Sequence, residues 1–343
     1  MKNRIFAMAA LAAALFASCN KETEMINPAP EAHPDGASVT ITLSSGDDAQ
    51  TRAFFDATAT AEAWEKTLSS LSVFTFNASG ELILRRDFTV SELASKSATF
   101  SLPKSAAGTE CSFYAVANYD ASSAKTRSAL SALVEKSAGD YNGTFADVST
   151  KALRSGGFVM SGSTTKTIGA VNTSTQVGIS LKRTVAKVAL QTTVAPEFSE
   201  KYPGSITINS VKLSRAASQS LVVAGEPSTG AMSYTHTQTP GTASSKYNSL
   251  FYLYETGTLD AGSRVLLEIN ATYDSDGSSS TSDDRSDVTY SVELTGKAAG
   301  QILRNGYYRV AANITGLVGQ DCQVSVTVAD WETPVTQSVD LGA

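Results

Sequence analysis

A cysteine behind a short apolar run is the first position in this chain whose residue type and setting imply a chemical event. Lys2 and Arg4 precede an apolar run from Phe6 to Phe16, and Ala17-Ser18-Cys19 closes it with two small residues and a thiol. A run of about 11 residues is too short to span a bilayer but has the length of a secretory signal core. The spacing predicts removal of residues 1–18 and lipid attachment at Cys19, which becomes the new N-terminus. An ordinary signal with an incidental cysteine is the plainer alternative, set against a chain that holds only three cysteines. No second apolar run is long enough to cross a membrane, so the lipid is the membrane attachment expected.

Beyond Cys19, the familiar constellations of catalysis are incomplete. Three Ser-x-x-Lys triplets occur, Ser101/Lys104, Ser122/Lys125 and Ser163/Lys166, but the companion Ser-Asp-Asn and Lys-Thr-Gly motifs are missing. There is no Gly-x-Ser-x-Gly elbow and no His-Glu-x-x-His helix. His33 sits in a polar tether, so His236 would have to serve alone as the base of a triad. No spacing among the cysteines and histidines resembles a metal site, and no cofactor is expected. Asp274, Asp276, Asp283 and Asp284 are rich in oxygen ligands, yet the glutamate that closes a calcium loop is absent, so this segment reads as a solvated hairpin tip. Trp64 and Trp331 are sugar-stacking candidates that read more simply as core. Cys111 and Cys322 lie in strand-like segments that could pair across domains, but they read more simply as two buried free thiols. The chain therefore reads as a non-enzyme. Its formal net charge of −6, without a basic cluster, excludes nucleic acid as a partner.

The elements that would position these residues are mostly strands. Charged residues are only 17%, and Ser, Thr, Ala, Val and Gly crowd the body, a mixture suited to β-branched strands joined by Gly/Ser turns. Residues 20 to 36 are a polar, proline-punctuated tether. Val39, Ile41 and Leu43 alternate with Thr40 and Thr42 as a half-buried strand. Ala61 to Leu68 predicts a helical turn, and Leu71 to Phe76 and Leu82 to Leu84 a hairpin around Asn77-Ala78-Ser79-Gly80. Phe100 to Leu102, Cys111 to Asn118 and Phe158 to Gly162 predict further strands. Residues 122 to 137, with Leu130, Leu133 and Val134 at helical spacing, predict the chain's best helix. Val177 to Leu190 predicts one unusually long strand that crosses between domains, with a boundary near Arg183. Six more strands are predicted between Ile206 and Val328. Short strands with turn signals and almost no helix predict an all-β chain of β-sandwiches.

Several segments resemble the fimbrillin family of Bacteroidales, the subunits of type V pili. They are Thr51-Arg52-Ala53-Phe54, Leu71 to Gly80, Tyr114-Ala-Val-Ala-Asn118, Phe158-Val-Met-Ser-Gly162, Leu181 to Val188, Tyr252-Leu-Tyr-Glu255, Asn305-Gly-Tyr-Tyr308 and Val326 to Trp331. The resemblance implies two tandem transthyretin-like β-sandwich domains, residues 53–182 and 183–343, behind the signal peptide and a propeptide-like segment, residues 19–52. It implies export as an outer-membrane lipoprotein exposed at the surface, with Lys21-Glu22 similar to an acidic export tag. It also implies cleavage between Arg52 and Ala53 by an arginine-specific surface protease, then polymerisation by donor-strand exchange into extracellular fimbriae that support adhesion. The implied partners are other fimbrial subunits, anchor and tip proteins among them.

The physical pattern is consistent with that implication. Cleavage after Arg52 would strip out the strand of Val39, Ile41 and Leu43, whose burial is worth roughly 5–9 kcal/mol at 1.5–3 per side chain. The strands left behind would offer open edges to another chain. Near the C-terminus Val335, Gln337, Val339 and Leu341 share one face, with Thr336, Ser338 and Asp340 on the other. Residues 333–343 of one subunit are therefore the expected donor strand, Gln337 being the weak point of the stripe. Alternatively, this tail completes its own sheet. The rival roles are a fimbrial anchor or tip, or a monomeric surface lipoprotein that binds glycan or host protein.

Overall fold

In the computed structural model the residues described are 35–44, 55, 61–227, 231–278, 280–296, 299–317 and, as backbone alone, 322–330. The first strands in chain order are β1 (Ala37–Ser44), β2 (Leu71–Phe76), β3 (Leu82–Asp87), β4 (Ser97–Leu102) and β5 (Glu110–Ala117). They are followed by β6 (Val134–Glu135), β7 (Met160–Thr167), β8 (Ser174–Ser180) and β9 (Lys182–Arg183). Then come β10 (Val185–Val194), β11 (Ser205–Ala216), β12 (Ser220–Leu221), β13 (Tyr234–Gln238) and β14 (Gly241–Ala243). The last are β15 (Lys246–Tyr254), β16 (Leu266–Asp274), β17 (Arg285–Glu293), β18 (Gly306–Ile314) and β19 (Cys322–Asp330). The all-β class expected from the alternation is observed.

Two pairs of sheets pack face to face. In the first pair a three-stranded sheet, β4-β1-β8, lies over a five-stranded one, β3-β2-β5-β7-β9. Val39, Phe100 and Val177 from one side meet Val73, Phe113 and Ala115 from the other in a single core. In the second pair β14-β15-β10-β18-β19 faces β13-β11-β16-β17, with Val188, Phe251 and Val310 packed against Leu213, Leu267 and Tyr290. Alternation explains both cores, because successive side chains on a strand point to opposite faces.

The two pairs are not independent. In β10, Ala186, Val188 and Leu190 enter the second core while Val185 and Ala189 enter the first, joined there by Tyr252, Tyr254 and Tyr307. A third core, on the other face of β2 and β5, takes Phe74, Phe76 and Val116 together with Val222 and Val223, and β12 pairs with β6 beside it. All described residues belong to one compact unit.

Two sequence expectations are corrected. Within residues 122 to 137 the helix is only Arg127–Ser131, started by Thr126 Oγ1 accepting from Ala129 N, and the chain then turns into β6. Leu130 and Leu133 do reach the third core, so the apolar spacing is real but serves a single turn. The long strand over 177–190 is three strands, β8, β9 and β10, each in a different sheet. The hairpin of β2 and β3 and the turn at Ala63–Lys66 fall where expected.

Candidate functional site

The alternation of β1 does what its pattern predicts. Ala37, Val39 and Ile41 are fully buried and Leu43 nearly so, while Thr42 and Ser44 face solvent. β1 is the middle strand of its sheet. On one side it runs antiparallel to β4, with Val39 opposite Phe100 and Ile41 opposite Ala98. On the other it runs parallel to β8, with Val39 opposite Thr175, Ile41 opposite Val177 and Leu43 opposite Ile179. Further bonds hold its ends: Leu43 N donates to Lys96 O at 2.9 Å, Ser38 N to Thr173 O at 3.1 Å, and Leu181 N to Ser44 O at 2.9 Å. Ser97 Oγ donates to Ile41 O at 3.0 Å, and the Thr40 and Thr99 hydroxyls meet at 3.0 Å.

The sheet beneath β1 is fixed at one corner by Gly162. A Cβ there would lie 2.1 Å from the Ser180 carbonyl oxygen, so β7 and β8 can pass this closely only at glycine. That is the physical reason for the glycine ending Phe158-Val-Met-Ser-Gly162. Tyr114-Ala-Val-Ala-Asn118 ends in an asparagine for an equally local reason. Asn118 has φ 59°, a left-handed conformation that asparagine tolerates. Its Oδ1 accepts from Ser69 N at 2.8 Å and Ser70 N at 3.3 Å, and its Nδ2 donates to Thr67 O at 2.8 Å and Phe158 O at 2.7 Å.

Between the two sheet pairs lies a buried polar junction that the sequence reading missed. Lys187 Nζ donates to Glu65 Oε1 at 2.8 Å, Tyr252 OH donates to the same oxygen at 2.7 Å, and Arg183 Nε donates to Glu65 O at 2.9 Å. Arg183 Nη1 reaches Asn305 Oδ1 at 2.8 Å. Burial alone would raise the Glu65 carboxyl, but the Lys187 ammonium, then Arg183, outweigh it and hold the group below its ordinary range. Nearby, Glu135 accepts from Tyr141 OH at 2.5 Å and Thr184 Oγ1 at 2.8 Å; there burial prevails and pushes its carboxyl up. The available signal was Lys187 itself, a charge sharing a strand face with Val185 and Ala189.

One open edge is closed by side chains. Gln238 donates to Leu250 O at 3.2 Å and accepts from Leu250 N at 2.9 Å. Asn142 does the same for Tyr252, at 2.7 Å and 2.8 Å. Each amide replaces one residue of a neighbouring strand along β15.

The Asp274, Asp276 and Asp284 carboxylates come within 4.8 Å of one another between β16 and β17. They stitch the hairpin tip itself: Asp274 pairs with Arg285 at 3.0 Å, Asp276 accepts from Ser278 N, and Asp284 accepts from Ser275 Oγ and Asp276 N. Trp64 packs against the first core, its ring 6.0 Å from that of Phe158, and Cys111 is a buried free thiol. His236 lies 3.1 Å from the Gly143 carbonyl. Cys19, Arg52, Ala53, Trp331, Val335, Gln337, Val339 and Leu341 lie outside the described residues, as does the Cys322 side chain. Phe55, three residues beyond Arg52, lies under the Arg309 guanidinium at 4.8 Å.

An all-β chain with two sandwiches, its N-terminal strand held in mid-sheet, is the class this geometry defines. Residues 37–193 match the family described as the major fimbrial subunit protein (FimA). A comparison with curated proteins returns no match. Among solved structures, a candidate cell-adhesion protein from Bacteroides eggerthii is similar with a TM-score of 0.59 at 19% identity, covering 87% of this chain and 96% of its own. A candidate cell-adhesion protein from Parabacteroides distasonis also gives 0.59, at 15% identity over 88% and 98%. The tip fimbrial protein Mfa3 from Porphyromonas gingivalis, truncated at its C-terminus, gives 0.52 at 14% identity over 86% and 100%. The resemblance to the fimbrillins is supported over residues 37–193, where the chain carries the sequence pattern of the major fimbrial subunit family. The structural neighbours, named as cell-adhesion and fimbrial proteins, share its all-β fold.

Proposed function

We propose that the chain is a polymerising subunit of a type V fimbria. It is exported as a lipoprotein through Cys19, cut between Arg52 and Ala53 by an arginine-specific surface protease, and assembled by donor-strand exchange. The subunit divides near Arg183 into two sandwiches, and the fimbria supports adhesion. The observation that carries this reading is the position of β1. It is a fully paired, inward-buried central strand that lies entirely on the N-terminal side of Arg52. Its removal would leave β4 and β8 facing an empty strand position lined by apolar side chains, and open ladders of this kind recruit a strand from another chain. Residues 333–343 of a second copy have the matching two-residue period. Such a contact is head-to-tail and does not close, so it propagates a filament.

The test is to treat the purified, unlipidated chain with an arginine-specific protease. The expected result is a new N-terminus Ala53-Phe54-Phe55 and SDS-resistant ladders that vanish when residues 333–343 are deleted. Resistance at Arg52, or cleavage that leaves a monomer, overturns the polymerising role in favour of an anchor or a monomeric binding lipoprotein.

A further inference from the structure

Hydrogen bonding cannot tell an incoming strand which way to run in the position that β1 occupies. β1 is antiparallel to β4 and parallel to β8, so β4 and β8 are antiparallel to each other. Any strand between them makes one parallel and one antiparallel ladder, whichever end enters first. Direction and register must therefore be read by side chains. This question rests on the strand-exchange reading and goes beyond it.

The strand position is graded in size and carries one polar mark. Ala37, Val39, Ile41 and Leu43 fill it in order. Their cross-strand partners are Leu102 for Ala37, Phe100 and Thr175 for Val39, Ala98 and Val177 for Ile41, and Ile179 for Leu43. Thr175 is the one polar residue among these partners, and it sits beside the second of the four positions. Its Oγ1 accepts from Gly169 N at 2.9 Å, which leaves the hydroxyl hydrogen to donate. The C-terminal stripe Val335, Gln337, Val339, Leu341 is also polar at its second position.

We propose that the tail of a second copy enters in the direction of β1, with Val335, Gln337, Val339 and Leu341 taking the places of Ala37, Val39, Ile41 and Leu43, and that Thr175 selects this register by hydrogen-bonding Gln337. The other registers fail on packing or polarity. The reversed strand that keeps all four residues in place puts Leu341 where Ala37 fits and Gln337 between Ala98 and Val177, both buried. The reversed register that brings Gln337 beside Thr175 puts Thr333 in the place of Leu43 and leaves Leu341 outside. A forward shift of two residues puts Gln337 opposite Leu102 or between Ala98 and Val177. In the selected register Pro334 takes the place of Gly36, whose carbonyl accepts from Asn172 N at 3.4 Å, a role proline can fill.

The test uses mixtures of full-length variants, cut by an arginine-specific protease and oxidised, with cross-links identified by mass spectrometry. Leu341→Cys in one copy is expected to bond Ile179→Cys in another and not Leu102→Cys; ladders cross-linked to Leu102→Cys overturn the proposed direction. Thr175→Val and Gln337→Val are each expected to slow ladder formation several-fold, and the double variant to restore most of the rate. Independent, additive effects overturn the role of Thr175. A wild-type chain that is cut at Arg52 and never ladders overturns strand exchange itself, and this proposal with it.

Discussion

Lys187 Nζ lies 2.8 Å from Glu65 Oε1, with side chains only 8% and 0% exposed, and this pair ties the turn before β2 to the first strand of the second sandwich. Removing one partner of a buried pair strands the other charge without a counterion. Glu65→Gln is expected to cost about 3–5 kcal/mol, read as a lower urea midpoint at unchanged slope.

The two buried carboxylates impose opposite pH dependences. Glu65 titrates below its ordinary range in the fold, so its contribution is present above the unfolded carboxylate range and is lost as pH falls through the lower folded value. Glu135 is pushed up by burial, so its contribution is greatest at low pH and is lost as pH rises through its raised folded value. Glu65→Gln should flatten the acid limb of a stability–pH profile. Glu135→Gln should flatten the decline above the usual carboxylate range, about pH 4.3.

Gly162→Ala tests the corner between β7 and β8. A methyl group cannot sit 2.1 Å from the Ser180 carbonyl, so one of the two strands must move. Overpacking of this kind typically costs about 1–3 kcal/mol, and a thermal melt should register it.

Asn118→Ala removes four hydrogen bonds that tie the loop before β2 to the start of β7. At about 0.5–1.5 kcal/mol net per bond, the expected loss is about 2–4 kcal/mol by urea titration, since water can reach part of the site.

Ile41→Asp tests the cleavage proposed after Arg52. A carboxylate at a fully buried position should lower the melting temperature of the full-length protein. The same chain cut after Arg52 should melt as the wild type does, because the substituted strand is gone.

How legible these features were depended on whether an element buries one face or two. β1 shows clean alternation because its sheet has one core face, and it was read correctly residue by residue. β2 shows no such alternation: all six of its residues are buried, because the third core covers its outer face. No local pattern announces that cover, since Val222 and Val223 arrive from far along the chain. The expected helix over 122 to 137 failed for the same reason: Glu135 and Val134 pair with Ser220 and Leu221, and a distant strand overrides a local period. Glu65 carries no sequence signal of burial, because its partner Lys187 lies beyond the first sandwich. The asparagine and glycine that end two of the family motifs were visible as letters. Their reasons, a left-handed turn and a carbonyl in contact, required the packed structure.

The central place of β1 also sets a clock. Among the described strands it comes first in the chain, yet the strands that flank it, β4 and β8, come much later, β8 only after most of the first sandwich. A lone strand has no stability of its own, and pairings so distant in sequence close slowly. The first sandwich is therefore expected to receive β1 late, and the proposed cleavage would reopen the same position when β1 leaves. On the strand-exchange reading proposed above, the lifetime of the uncut chain would be set by the rate at which one strand unthreads, and not by the depth of the folded well.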